Sequence, residues 1–288
     1  MKPVKRILVP VDFSDNSKAA YEFAVSMAED LGAESVKVIY IYDDYMPTAP
    51  LADPLIIPSG KTTEELDAEL QRFMEAEETE LSEVLVHRKT RIKTETVFGL
   101  PTDTIIRFSE TGDYDLIVMG TTGKKNLSEL WFGSTATLVS QKASCPVLLV
   151  PSGVIYKKPK EMIYACDFEH ISPNHLSVVT DIAQTLKTDV ELLYVKTGES
   201  DSTQYTVDVK VIHDIFNEEA PDVNFTAHVI EEDSVVAGVN SFAKKVNADF
   251  VIVVTKYRSF WQRFIHVSMT KQLAMYANIP VLIVHVKE

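Results

Sequence analysis

The 288-residue chain has no apolar run approaching the ~18–20 residues that a membrane-spanning helix needs, so no membrane span is expected. Cysteine is scarce. Cys145 and Cys166 are the only two, and their spacing suits neither a metal site nor a redox pair, which leaves them as buried thiols. Basic residues are also in deficit, with 28 Lys and Arg against 42 Asp and Glu and a net charge of −14. That balance argues against a general nucleic-acid binder, whose phosphate contacts need a basic face, but not against a nucleotide, which needs only local donors. There is no G-x-x-x-x-G-K-[ST] loop and no Ser-Gly-Gly pyrophosphatase loop. His87, His170, His175, His213, His228, His266 and His285 form no ligand-spaced set. Nothing marks a positioned base or nucleophile beside a phosphate site, so no enzyme is expected. The start, Met1 to Arg6, leads into a strand rather than an apolar signal core, and the cytoplasm is the expected compartment.

What the chain does have is concentrated at 115–150. Asp115 to Met119 is a short apolar run suited to a strand buried on both faces. Gly120 and Gly123 follow, where a turn can take positive φ and the backbone can approach a ligand. After nine intervening residues, Gly133-Ser134 opens a helix predicted over 134–143, whose first N–H groups have no partner within the helix. With the helix dipole, those donors suit phosphate oxygens. Cys145-Pro146-Val147-Leu148-Leu149-Val150 then reads as another buried strand.

The chain also repeats itself. Asp12-Phe13 recurs as Asp167-Phe168, 155 positions on. Asp115-Leu-Ile-Val-Met recurs as Asp249-Phe-Val-Ile-Val, and Ala143-Ser-Cys-Pro-Val-Leu-Leu-Val as Ala277-Asn-Ile-Pro-Val-Leu-Ile-Val, both 134 positions on. The second copy is therefore about 21 residues shorter between its second and third strands. Two domains follow, 1–152 and 153–288, joined by a short turn-rich link through Pro151-Ser152-Gly153 and Lys157-Lys158-Pro159.

Within the first copy, strands are predicted at Ile7–Val11, Val36–Tyr42 and Ile92–Phe98. Helices are predicted from Ser17 to Leu31, from a Thr62/Glu65 capping box onward with Leu66, Leu70, Phe73, Met74, Leu81 and Leu85 in helical register, and from Pro101 to Thr111. Alternating β and α units give a parallel sheet covered by helices on both faces.

The spacing of Gly120, Gly123, Gly133 and Ser134 after a strand resembles the nucleotide motif of the universal stress protein family. Ile7-Leu-Val-Pro-Val-Asp-Phe-Ser14 resembles that family's first strand and acidic turn, and Ser144–Val150 its last strand. The resemblance covers both copies. It implies two tandem doubly wound α/β domains, each an open five-stranded parallel sheet of order 3-2-1-4-5, with ligand between the ends of strands 1 and 4, the usual place in open α/β sheets. It implies ATP, with Mg²⁺, as the ligand of a regulatory protein of the stress response. It carries over Pro10, Val11 and Asp12 near the adenosine end, Ile41 against the base, Met119 as a further contact, and Gly120, Gly123, Gly133, Ser134 and Thr135 around the phosphates. Other roles stay open for some of these: Asp12 or Ser14 as a helix cap, Ile41 and Met119 as core. Lys124 and Lys125 could reach a triphosphate or simply be solvated. In the family the fifth strand commonly pairs across a two-fold axis, which implies an internal pseudo-dimer through Val147–Val150 and Val281–Val286, besides a possible homodimer.

The second copy departs at the motif. Val254, Tyr257, Val267 and Ser268 replace Gly120, Gly123, Gly133 and Ser134, so one nucleotide per chain is expected, in the first domain. A purely structural module with a vestigial site, and a slow ATP hydrolase, are the competing readings. The proline-rich segment 44–60, with Leu55-Ile56-Ile57, is open to a surface loop, a flap or a docking role.

Overall fold

The computed structural model describes residues 4–43, 62–80, 89–121, 134–166, 173–197, 214–218, 220–256 and 279–286. The proline-rich segment 44–60, Leu81, Leu85, Gly123, Lys124, Lys125, Gly133, Asp167, Tyr257, Val267 and Ser268 lie outside them.

The first copy runs β1 (Arg6–Val11), α1 (Asp15–Leu31), β2 (Ser35–Tyr42), α2 (Thr63–Glu80), β3 (Arg91–Phe98), α3 (Pro101–Glu110), β4 (Leu116–Gly120), α4 (Ser134–Lys142) and β5 (Val147–Val150). Helix α1 starts two residues earlier than predicted because Ser14 caps it, its side chain accepting from the Ser17 N–H. Gly32, in the left-handed region at φ 65°, ends it. The Thr62/Glu65 capping box forms as predicted: the Glu65 N–H donates to Thr62 Oγ1 at 3.2 Å and the Thr62 N–H to Glu65 Oε2 at 2.7 Å. Leu66, Leu70 and Met74 are buried at the predicted i, i+4, i+8 spacing.

The second copy runs β6 (Glu161–Ala165), α5 (Pro173–Leu186), β7 (Asp189–Lys196), β8 (Phe225–Glu231), α6 (Val235–Val246), β9 (Phe250–Lys256) and β10 (Val281–Val286). Residues 43–90 separate β2 from β3, whereas only 197–224 separate β7 from β8. The predicted shortening falls in that connection.

All ten strands form one sheet of order β3-β2-β1-β4-β5-β10-β9-β6-β7-β8. Each copy has the order 3-2-1-4-5, and its pairings are parallel. The predicted internal pairing is present, and it is antiparallel: Val281 faces Leu149, Leu282 faces Leu148 and Ile283 faces Val147. Alternate side chains along the strands supply two cores, each continuous across this seam. One lies under α1, α2 and α5 and holds Ile7, Val9, Val118, Tyr164 and Leu192. The other lies under α3, α4 and α6 and holds Leu8, Ile117, Met119, Ile163 and Val251. Among the described residues, no helix is long and apolar enough to cross a membrane.

The duplicated aspartates prove to be structural. Asp115 Oδ2 accepts the backbone N–H groups of Lys5 at 3.0 Å and Arg6 at 2.9 Å, just where β1 begins. Asp249 Oδ2 accepts those of Lys160 at 2.8 Å and Glu161 at 3.3 Å, where β6 begins. Each carboxylate thus satisfies two donors at a strand start and sets the register of the fourth strand against the first.

Candidate functional site

The central strands part at one end. Strand β1 pairs with β2 along its whole length, from Arg6–Ser35 to Val11–Tyr40. It pairs with β4 only at Ile7–Leu116 and Leu8–Ile117. Strand β4 stays with β5 through Gly120–Val150. A crevice therefore opens beyond Leu8 and Ile117, between strands whose connections leave in opposite directions, which is where an open α/β sheet takes its ligand. Pro10 stands at the parting and has no N–H to give to a ladder.

Strand alternation decides which predicted residues reach this place. Pro10, Ile41 and Met119 share the face of Leu8, Ile39 and Ile117, the face covered by α3 and α4. Val11 turns its side chain into the opposite core, so only its backbone remains available at the strand end. Met119 is buried and Ile41 half-buried, both against the cluster that contains Ala136 of the first turn of α4. Ser134, two residues before Ala136, is exposed, and Thr135 is half-buried. Helix α4 has no acidic residue in its first turn and Lys142 in its last. An anion at its N-terminus would thus meet the favourable end of the dipole without carboxylate repulsion from that turn.

The turn after β1 is tightly built. Asp12 Oδ1 accepts from the Ser14 N–H at 3.1 Å and from Ser14 Oγ at 2.5 Å. Of the two residues open to a capping role, Ser14 caps α1 and Asp12 holds the cap. Ser17 completes the arrangement, its Oγ accepting the N–H groups of Asp12 at 3.3 Å and Ser14 at 3.1 Å while donating to the Ser14 carbonyl at 2.9 Å. Between them Phe13 takes φ 59°, a region bulky side chains avoid. Its ring stacks on Tyr40 at 4.4 Å and meets Phe73 of α2 at 5.4 Å, contacts that hold the strained turn. Sequence reasoning passed over Phe13, although its recurrence as Phe168 was a signal for it.

Gly120 corrects one expectation. Its φ is not positive; the left-handed glycines of the described residues are Gly32, Gly99, Gly112 and Gly153. Gly120 ends β4 in the sheet, and its missing side chain serves the approach of α1. A Cβ there would lie 2.6 Å from the Asn16 carbonyl oxygen and 2.8 Å from its carbon. The glycine lets the capped start of α1 close on the end of β4, and so shapes the crevice from below.

Two of the equivalent places in the second copy are filled. Val254, at the position of Gly120, is 6% exposed and packs in the core beneath α5. Val195 stands where β2 has Ile41 and is buried, because Gly238 brings α6 down onto it. A Cβ on Gly238 would come 2.5 Å from Val195 Cγ1. Where the first copy leaves Ile41 half-open, the second closes helix onto strand. The free thiols Cys145 and Cys166 are both buried, as predicted, and burial pushes the Cys145 thiol up to about 12.

This is a tandem doubly wound α/β protein whose first half has Gly120 and half-buried Ile41 at the switch point where the second half has buried Val254 and Val195. The chain belongs to the universal stress protein family: the family's model matches residues 3–151 and again 160–285. Two universal stress proteins of Methanocaldococcus jannaschii are similar to it. One is 35% identical over 159 residues, covering 54% of this chain and 84% of the relative. The other is 30% identical over 153 residues, covering 51% and 94%. The crystal structure of a universal stress protein from Archaeoglobus fulgidus shares the fold, with a TM-score of 0.66 at 18% identity, covering 98% of this chain and 97% of that one.

Proposed function

We propose that the first copy binds ATP, carried as its Mg²⁺ complex, in the crevice between β1 and β4, and that the chain acts as a nucleotide-responsive regulator of the stress-response type rather than as an enzyme. In this reading Pro10, the Val11 backbone, Asp12 and Ile41 line the adenosine end. Met119 and Gly120 form the floor, and Gly123, Gly133, Ser134 and Thr135 supply donors to the phosphates. The observation that supports it most is the contrast between the copies. Gly120, half-open Ile41 and an α4 start free of acidic residues lie at the first switch point, against buried Val254 and Val195 at the second.

The test is titration calorimetry of nucleotide-free protein with MgATP. One equivalent per chain is expected, abolished by Gly123→Tyr with the fold intact by circular dichroism. Absence of binding at millimolar MgATP would overturn the proposal. A second equivalent that survives Gly123→Tyr would overturn the assignment of the site to one copy.

A further inference from the structure

The second copy, with buried Val254 and Val195 at its own switch point, touches the machinery proposed for the first. Helix α4 has nine residues, about 13 Å at 1.5 Å per residue, too short to hold its own position. Its placement depends on its buried side, Ala136, Val139 and Ser140, and on how its last carbonyls are satisfied. The Thr137 carbonyl accepts Ser140 Oγ at 2.9 Å, and the Val139 carbonyl accepts the Ala143 N–H at 2.9 Å. The Ser140 carbonyl would ordinarily take the N–H of Ser144. That donor goes instead to Ser109 Oγ of α3, at 2.9 Å. The Ser140 carbonyl is met from the other copy, by His285 Nε2 of β10 at 2.7 Å. A carbonyl can only accept, so Nε2 carries the proton, and burial lowers the imidazole's pKa, keeping the ring neutral.

This bond has no mirror image. The position equivalent to His285 in the first copy, 134 residues earlier, is Pro151, which has no side-chain donor. Support across the seam at this position runs in one direction, from the second copy to the first.

We propose that His285 is a positioning residue for the nucleotide site. By fixing the C-terminal turn of α4 across the β5–β10 seam, it aims the N-terminus of α4, with Ser134, at the phosphates. The proposal rests on the nucleotide reading above. It gives the second copy a definite task, as the mount on which the first copy's phosphate-facing helix is fixed.

Three variants of the full chain test it, with MgATP affinity measured by calorimetry and amide hydrogen exchange read along α4. His285→Leu removes the donor and is expected to weaken MgATP about three- to tenfold, the equivalent of one net hydrogen bond, and to speed exchange within α4. His285→Gln keeps an N–H donor and is expected to restore most of both. Leu282→Val loosens the same strand opposite Leu148, on the face turned away from α4, and is expected to lower the melting temperature while leaving affinity unchanged. Wild-type affinity and exchange in His285→Leu would overturn the proposal. So would an equal loss of affinity in Leu282→Val, which would mean general loosening of the seam. A wild-type chain that binds no MgATP would overturn the nucleotide reading and the affinity half of the proposal with it. Unchanged α4 exchange in His285→Leu would overturn the anchor by itself.

Discussion

Gly120→Ala adds one methyl group to the floor of the crevice, and the structure says what that methyl meets. Its Cβ would lie 2.6 Å from the Asn16 oxygen, 2.8 Å from the Asn16 carbonyl carbon and 3.0 Å from Asn16 Cβ. Two of these are main-chain atoms in the first turn of α1, so no rotamer change relieves the clash. Either α1 lifts from β4 or β4 bends. The start of α1 is tied to Asp12 through Ser14 and Ser17 and stands beside strained Phe13, so lifting it disturbs contacts made at the end of β1. Overpacking of this kind costs about 1–3 kcal/mol. With a central value of about 2 kcal/mol, the melting temperature should fall by roughly 4–8 °C. Differential scanning calorimetry reads this directly, with urea denaturation as a check on two-state behaviour. The reciprocal change, Val254→Gly, removes a buried side chain and adds backbone freedom, at about 2–4 kcal/mol, and should create no nucleotide site. If Gly120→Ala melted within 1 °C of the parent, the assignment of Gly120 to helix approach would be refuted.

Two further outcomes are expected. Glu77 is buried between Lys18 and Glu22, and burial, with Glu22 adding to it and Lys18 partly offsetting it, raises its carboxyl from 4.5 to about 7; burial and Glu191 do the same for Glu161. Folding favours the protonated form of both, so their stabilising contribution is full below about 4.5 and is lost as pH rises through about 7. Urea denaturation at a series of pH values should therefore show a declining slope across this window that Glu77→Gln flattens; parallel profiles would refute the assignment. Asp115→Ala and Asp249→Ala each strand two backbone donors at a strand start and should each cost about 1–3 kcal/mol in urea denaturation, Asp115 the more because it also meets Arg6. A neutral result at either position would show that water replaces the carboxylate there.

The architecture was legible because its signals are local and repeated. The run Leu116–Met119, the capping residues Thr62 and Glu65, and the recurrence of Asp115 as Asp249 each depend on short stretches of chain, and the two offsets located the shortened connection. The pairing of Val147–Val150 with Val281–Val286 was expected from the family resemblance and from two apolar edges that each needed covering; the structure supplies its antiparallel direction. At the candidate site the sequence showed which residues follow the strand ends, but not how each one packs. Gly120 was read as a turn glycine because a sequence cannot show that the main chain at Asn16, more than 100 residues away, comes to lie against it. Val11 was grouped with its neighbours along the chain, although strand alternation sends its side chain into the other core. His285 had no motif to announce it, since its partner at Ser140 is a main-chain carbonyl reached only after β5 and β10 pair.

The covalent link across the β5–β10 seam has a consequence beyond geometry. Two separate chains that pair through such strands dissociate on dilution, and each change of sequence appears twice, once on either side of the axis. Here the partner is always present at a fixed effective concentration, whatever the protein's abundance in the cell. Each side also mutates independently. Gly120 can be kept in one half while valine occupies the matching position in the other, and a histidine can be installed at 285 opposite a proline at 151. Fusion thus frees the assembly from symmetry, and an identical pair of chains could not place different residues at the matching positions of its two members.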